Sequence, residues 1–273
     1  MKRHPFDLLM ELPADEIRLD CAALHLCRDV YPHLDLNTYL GKLDTMAEAL
    51  ADARPGLAAT LRYQAMREVL VEGYELTGNQ EDYYDPQNSY LSRVIDRRVG
   101  IPISLAVVWI EVGRRLKWPV AGLRFPEHFL VRFDDPERFV LADPFNDGRS
   151  LSVEDCRQIL HRQSNGKRRF SSKYLQPVGT RAILTRMLNN LRSIYLANQD
   201  WGRLSAVLQR LAAVEPANGR HFQELAGIRY RQGDLRGAYA HLAACLERFP
   251  DAEDRPTVQR SLETLERVIV AMN

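Results

Sequence analysis

Hydrophobic positions recur at two different periods along this chain, and the change of period divides it. In "ADEIRLDCAALHLCRDV", Ile17, Ala23, Leu24 and Leu26 repeat close to every 3.6 residues, which predicts a helix with one apolar face. Tyr31–Pro32 ends it, because a residue before proline avoids the α region. "DLNTYLGKLDTMAEALADA" repeats the pattern, with Leu40, Leu43, Met46 and Leu50 on one face and Asp35 or Asn37 as the cap. "GLAATLRYQAMREVLVEGYEL" predicts a third helix, stopped by Gly78–Asn79. A turn at Asp85–Pro86 and a short helix from Asn88 or Ser89 follow. A longer helix then runs from Pro102 to about Lys117, with proline at a first position whose N–H would have no partner anyway.

After Pro119 the pattern becomes short runs of β-branched and aromatic residues. "VAGLRF", "HFLVRF" and "RFVLAD" predict three antiparallel strands, the last two joined by a hairpin at "DDPE". If the middle strand begins at His128, Arg132 shares its face and Glu127 takes the opposite one. "DPFNDG" reads as a loop. "SVEDCRQILHRQ" reads as a helix capped by Ser152, with Asp155 completing a capping box. Residues 163–179 are polar and rich in turn formers. They predict a boundary between a first domain over 1–165, which includes an N-terminal helical subdomain, and a second over 180–273.

The second domain repeats itself. A shift of 34 residues brings Leu191 onto Leu225, Ile194 onto Ile228, Asp200 onto Asp234, Ala206 onto Ala240, Leu208 onto Leu242 and Pro216 onto Pro250. That is the period of the tetratricopeptide helix–turn–helix unit. Helix pairs are expected at about 181–214 and 218–248, with a capping helix in "RPTVQRSLETLERVIVAMN". Two units and a cap are few for a free-standing solenoid.

Composition narrows the function classes. With 45% hydrophobic and 27% charged residues the chain can bury a sizeable core. A formal net charge of +1 gives no long-range field for nucleic acid or an anionic membrane, so neither is expected as a partner. "GKRRF" is a local basic run, read as part of a solvated linker. The longest apolar run, "IPISLAVVWI", is too short to span a bilayer, and the N-terminal stretch has no secretory h-region. The cytoplasm is therefore the expected compartment. Cys21, Cys27, Cys156 and Cys245 are scattered without metal-ligand spacing and read as reduced thiols. No metal or organic cofactor is expected.

Three residues stand in an order that chemistry can use: Ser104 on the first turn of a helix, His128 at a strand, Asp143 at the end of the next strand. A helix N-terminus offers unpaired N–H groups and a positive dipole end. A histidine can take a proton from a nucleophile there, and an acid can fix its tautomer. Each residue alone has an ordinary alternative, as a cap, a pocket histidine or a turn former. Asn88, Tyr90, Pro102 and Arg132 are further candidates for lining such a cleft, as are Tyr83 and Tyr84 at its mouth. Trp109 and Trp118 read as core.

"NSYLSRVIDRRVGIPISLAVVWIEVGRRLKWPV", "FPEHFLVRF" and "DPFNDGRSLS" resemble the SirB family of bacterial proteins, which combine a transglutaminase-like core with a tetratricopeptide-like tail. The resemblance covers nearly the whole chain, most strongly residues 83–150. It implies an α+β class: a papain/transglutaminase-like core, helices packed on a small antiparallel sheet beside a cleft, followed by an all-α tail. It also implies a departure. Active members of the wider superfamily carry a Cys–His–Asp triad, and the cysteine falls on Ser104, as the SirB family generally lacks it. A helix end contributes about 0.3–2 kcal/mol, roughly one pKa unit. That helps a thiol of pKa about 8.5, not an alcohol. The expectation is therefore a degenerate, non-catalytic domain that binds a protein or peptide through its cleft or its helical tail. The alternative is a Ser–His–Asp amidase, esterase or acyl-transferase using Ser104, His128 and Asp143.

Overall fold

The period-3.6 stretches fold as helices and the alternating ones as a sheet in the computed structural model, which describes residues 3–51 and 58–272. The α+β expectation holds. The predicted ends of the second helix at residues 52–53 and of the third at 56–57 lie outside the described residues. The chain forms two compact units, Leu12–Met187 and Met1–Glu11 with Leu188–Asn273.

In the first unit, α2 (Leu19–Cys27), α3 (Leu36–Glu48), α5 (Leu91–Arg97) and α6 (Pro102–Arg115) pack on one another. Buried charge ties α2 to α6. Asp20 Oδ2 accepts from Arg115 Nη2 at 2.9 Å and Arg114 Nη2 at 3.1 Å, and both arginines also reach Glu111. Burial works against the Asp20 carboxylate, but hydrogen bonds from Arg18 and Arg115 outweigh it and hold its pKa well below the usual range. The third helix is shorter than its pattern predicts. α4 (Ala59–Arg67) passes into a π-helical turn (Glu68–Gly73), and Thr77–Gly78 forms a strand, β1, parallel to β2 (Val99–Gly100).

The main sheet has four antiparallel strands in the order β3 (Val120–Leu123), β4 (Leu130–Asp134), β5 (Phe139–Asp143), β6 (Arg149–Leu151). Sequence patterning predicts three; β6 is too short and polar to stand out. Register fixes two faces. Val120 pairs with Phe133, and Val131 with Ala142. This face meets α6 and α4, where Trp109 and Tyr63 both lie edge-to-face with Phe133. Leu123 pairs with Leu130, and Leu141 with Leu151; these join Cys156, Ile159 and Leu160 of α7 (Val153–Gln163) in a second core on the other face. α7 opens with the predicted capping box, Ser152 Oγ accepting from Asp155 N at 3.1 Å and Asp155 Oδ2 from Ser152 N at 2.8 Å. The segment read as a solvated linker is partly stitched to this unit. Val178 N donates to Gly122 O on edge strand β3, and Leu175 is buried beside Phe125.

The helix α8 (Thr180–Ala197) crosses the division between the units. In the second unit, α9 (Trp201–Val214), α10 (Arg220–Arg231), α11 (Leu235–Arg248) and α12 (Arg255–Ala271) pack in succession. The repeat is visible at its caps: Asp200 accepts from Arg203 N at 3.0 Å, and its counterpart Asp234 accepts from Gly237 N at 2.8 Å. The short α1 (Pro5–Leu9) belongs here, with Arg210 of α9 donating to both Asp7 oxygens at 2.7 Å. No described helix is long and apolar enough to cross a membrane.

Candidate functional site

His128 lies in a tight turn, two residues before β4. Pro126 precedes Glu127, which takes a left-handed conformation (φ 57°), and His128 N donates to Phe125 O at 3.2 Å. The expectation that the strand begins at His128 is therefore corrected. The turn delays the ladder to Leu130, so strand alternation does not relate His128 to Arg132 or Glu127.

Asp143 closes β5 and is fully buried. Its Oδ1 lies 2.8 Å from His128 Nε2. It also accepts from Asn146 Nδ2 at 2.7 Å and from the Phe145 and Asn146 amides at 3.2 and 3.3 Å. Burial pushes the carboxyl up, but the bonds from His128 and Asn146 prevail and hold it below the usual carboxylate range. An ionised carboxylate only accepts, so Nε2 carries a proton and Nδ1 is the atom left for other chemistry.

Ser104 sits elsewhere in the hydrogen-bond network. It is the third residue of α6, fully buried, and its Oγ accepts from Ile101 N at 3.0 Å and donates to Asn88 O at 2.5 Å, with Ile101 O at 3.1 Å. A hydroxyl has one proton, and His128 is not among its partners. Strand register sets the face that Asp143 takes. Asp143 pairs with Arg149 and shares the face of Leu141, which meets α7, whereas α6 packs on the opposite face. Gly100 lies against Ser104 and pairs with Gly78, which lies against Phe145, and the Phe145 ring meets His128 edge-to-face at 6.2 Å.

The other sequence candidates serve packing positions. Asn88 is fully buried; its Nδ2 donates to Asp82 O at 2.7 Å, and its Oδ1 accepts from Asn79. It thus fixes the loop that carries Tyr83 and Tyr84. Tyr90 is buried edge-to-face with Tyr31, and Pro102 is buried at the first turn of α6. Arg132 bonds Asp134 at 2.9 Å and Leu175 O at 2.8 Å, which ties β4 to the 172–175 turn. Tyr84 is 73% exposed and meets Tyr83 edge-to-face, as Tyr83 meets Phe145, so a row of aromatic rings runs up to His128.

His128 also lines a small pocket of about 170 Å³, together with Asp143, Asn146, Arg149, Ile159, Arg162 and Gln163. Patterning misses Phe145, Asn146, Arg149 and Arg162. The only signals for them are the turn formers after Asp143 and the spacing of Ile159 and Arg162 on α7, and neither reveals which sheet face Asp143 takes. Arg149 Nε approaches Asp143 Oδ2 at 3.9 Å. Among the described residues no group of three or more His, Cys, Asp or Glu side chains is placed to hold a metal ion.

The profile of the transglutaminase-like superfamily matches residues 37–189, and that of the tetratricopeptide repeat matches residues 191–263. The chain is 35% identical over 256 residues to a UPF0162 protein of Xylella fastidiosa, covering 92% of this chain and 91% of that one. It is 35% identical over 177 residues to a UPF0162 protein of Pseudomonas aeruginosa, covering 65% and 63%. Human F-box only protein 21 is 32% identical over 138 residues, 48% of this chain but 21% of that longer protein. A core that matches from α3 into α8, followed by helical repeats, and a near full-length relative place the chain with the UPF0162 proteins of the transglutaminase-like superfamily.

Proposed function

We propose that this is a non-catalytic member of the transglutaminase-like superfamily, of the SirB type, that works by binding other proteins. The pairing of a transglutaminase-like core with tetratricopeptide repeats suggests a protein-interaction or scaffold module in the coarse sense. The finer reading rests on one observation. The Ser104 hydroxyl is fully buried and bonded to Ile101 and Asn88, where it holds the first turn of α6 to the 86–89 segment. In this reading Ser104 is a cap, and the cleft beside His128 holds a peptide rather than cutting one. Residues 1–165 would form the transglutaminase-like domain, with residues 180–273 presenting helical surface to a partner in the cytoplasm.

One observation favours the alternative, a Ser–His–Asp amidase, esterase or acyl-transferase: His128 and Asp143 are joined at 2.8 Å as a working base would need. The Ser104 hydroxyl, however, is bonded to Ile101 and Asn88 rather than to His128, and a general base needs its nucleophile within hydrogen-bond reach. The test is intact-mass spectrometry after exposure to serine-reactive phosphonates, with ester and amide turnover measured beside it. No adduct and no Ser104-dependent turnover are expected. A single adduct that disappears in Ser104→Ala would overturn the reading.

A further inference from the structure

The pocket beside His128 does not end at Arg162. Arg162 also lines a second, open groove of about 620 Å³ along α7, whose walls carry Glu154 as well as Arg157, His161, Arg168, Arg169 and Phe170. Residues 154–173 hold Arg157, Arg162, Lys167, Arg168, Arg169 and Lys173 against Glu154 and Asp155. On a chain of net charge +1 this is a local concentration of positive charge.

Some of these cations are already balanced. Arg157 pairs with Glu154 at 3.1 Å and lies over the Phe170 ring at 5.3 Å; Arg168 reaches Glu127 at 3.7 Å. Arg162 and Arg169 have no ion pair and no side-chain hydrogen bond among the described residues. Two uncommitted arginines therefore line one groove, and one of them, Arg162, also lines the pocket that holds the buried His128–Asp143 pair. Guanidinium forks match carboxylates in a two-point geometry.

We propose that an extended acidic peptide segment of a partner protein docks along α7. Its carboxylates engage Arg162 and Arg169 in the groove. Phe170 in the groove wall supplies apolar contact for a neighbouring residue. Carboxylates suit this surface better than a nucleic-acid backbone. Glu154, Glu127 and Asp143 interrupt the cations, and a strand with a phosphate about every 3.4 Å would be forced onto them. The inference builds on the binding-module reading and narrows it to one ligand class.

Fluorescence anisotropy of a labelled glutamate-rich dodecapeptide with the full-length protein tests it, beside the same peptide with glutamine for glutamate and a single-stranded oligonucleotide of equal charge. The acidic peptide should bind, weaken as salt rises, and lose at least about tenfold affinity in Arg162→Glu. Arg162→Glu with Arg169→Glu should abolish binding. Arg236→Glu, an exposed charge reversal on the other unit, should leave binding unchanged, and all variants should melt as the wild type does. Equal binding of the glutamine peptide, equal loss in Arg236→Glu, tighter binding of the oligonucleotide, or no binding at all would each overturn the proposal. Failure here leaves the phosphonate result untouched, and a Ser104 adduct leaves the peptide affinities untouched, so the two readings fail separately.

Discussion

Ser104, His128 and Asp143 are all buried, yet burial means different things for each. Ser104 satisfies one buried donor and one buried acceptor that water cannot reach. Leaving such groups unpaired costs about 1–3 kcal/mol each. Ser104→Ala should therefore lower unfolding free energy by roughly 2 kcal/mol in urea, and an unchanged midpoint would argue against a capping role. Asp143 makes a pH prediction. Its carboxyl is held lower in the folded chain than in the unfolded one, where it titrates near about 3.9. Such a group stabilises fully above its unfolded pKa and loses that contribution as pH falls through the folded value. The wild type should thus lose stability between pH about 4 and the acid limit, and Asp143→Asn should flatten that part of the profile. Identical acid limbs for the two proteins would contradict it.

Elements decide what these residues can reach. β1 and β2 are two residues each, and their glycines bring the backbone close to Phe145 and Ser104. A Cβ on Gly78 would overlap the Phe145 carbonyl and come within 2.5 Å of its ring. Gly78→Ala should cost about 1–3 kcal/mol and shift the His128 imidazole resonances in NMR, because the ring against them moves. Unmoved resonances at an unchanged melting point would show that Phe145 is not seated as described. Much of this level was legible beforehand. The 3.6 periods of α2 and α3, the Ser152–Asp155 box of α7 and the 34-residue offset of Asp200 and Asp234 are local signals read within one helix or one repeat. The sheet face of Asp143 was not legible, because it depends on register with a three-residue strand that polar residues disguise. The left-handed turn at Glu127 carried no glycine to announce it, and it moved His128 off the strand. So His128 and Asp143 could be named together from order alone, while the pocket's Arg149 and Arg162 could not.

At the scale of the molecule, charge is nearly balanced overall but unevenly placed. α2 and α6 bury their charges in the Asp20–Glu111–arginine cluster, whereas the α7 side leaves Arg162 and Arg169 open. Buried pairs of the first kind fix packing; the exposed cations of the second kind are those proposed to meet an acidic partner. The repeats add helical surface in a second compact unit. This arrangement needs no reacting serine. The most direct test gives the position the better nucleophile. Ser104→Cys places a thiol at the helix end, and its alkylation by iodoacetamide at neutral pH can be timed against half-buried Cys21. We expect labelling slower than at Cys21, because the position is sealed and its hydrogen bonds run to Ile101 and Asn88. Labelling faster than Cys21 would mean that the helix end and His128 still activate this position, and it would contradict the non-catalytic account.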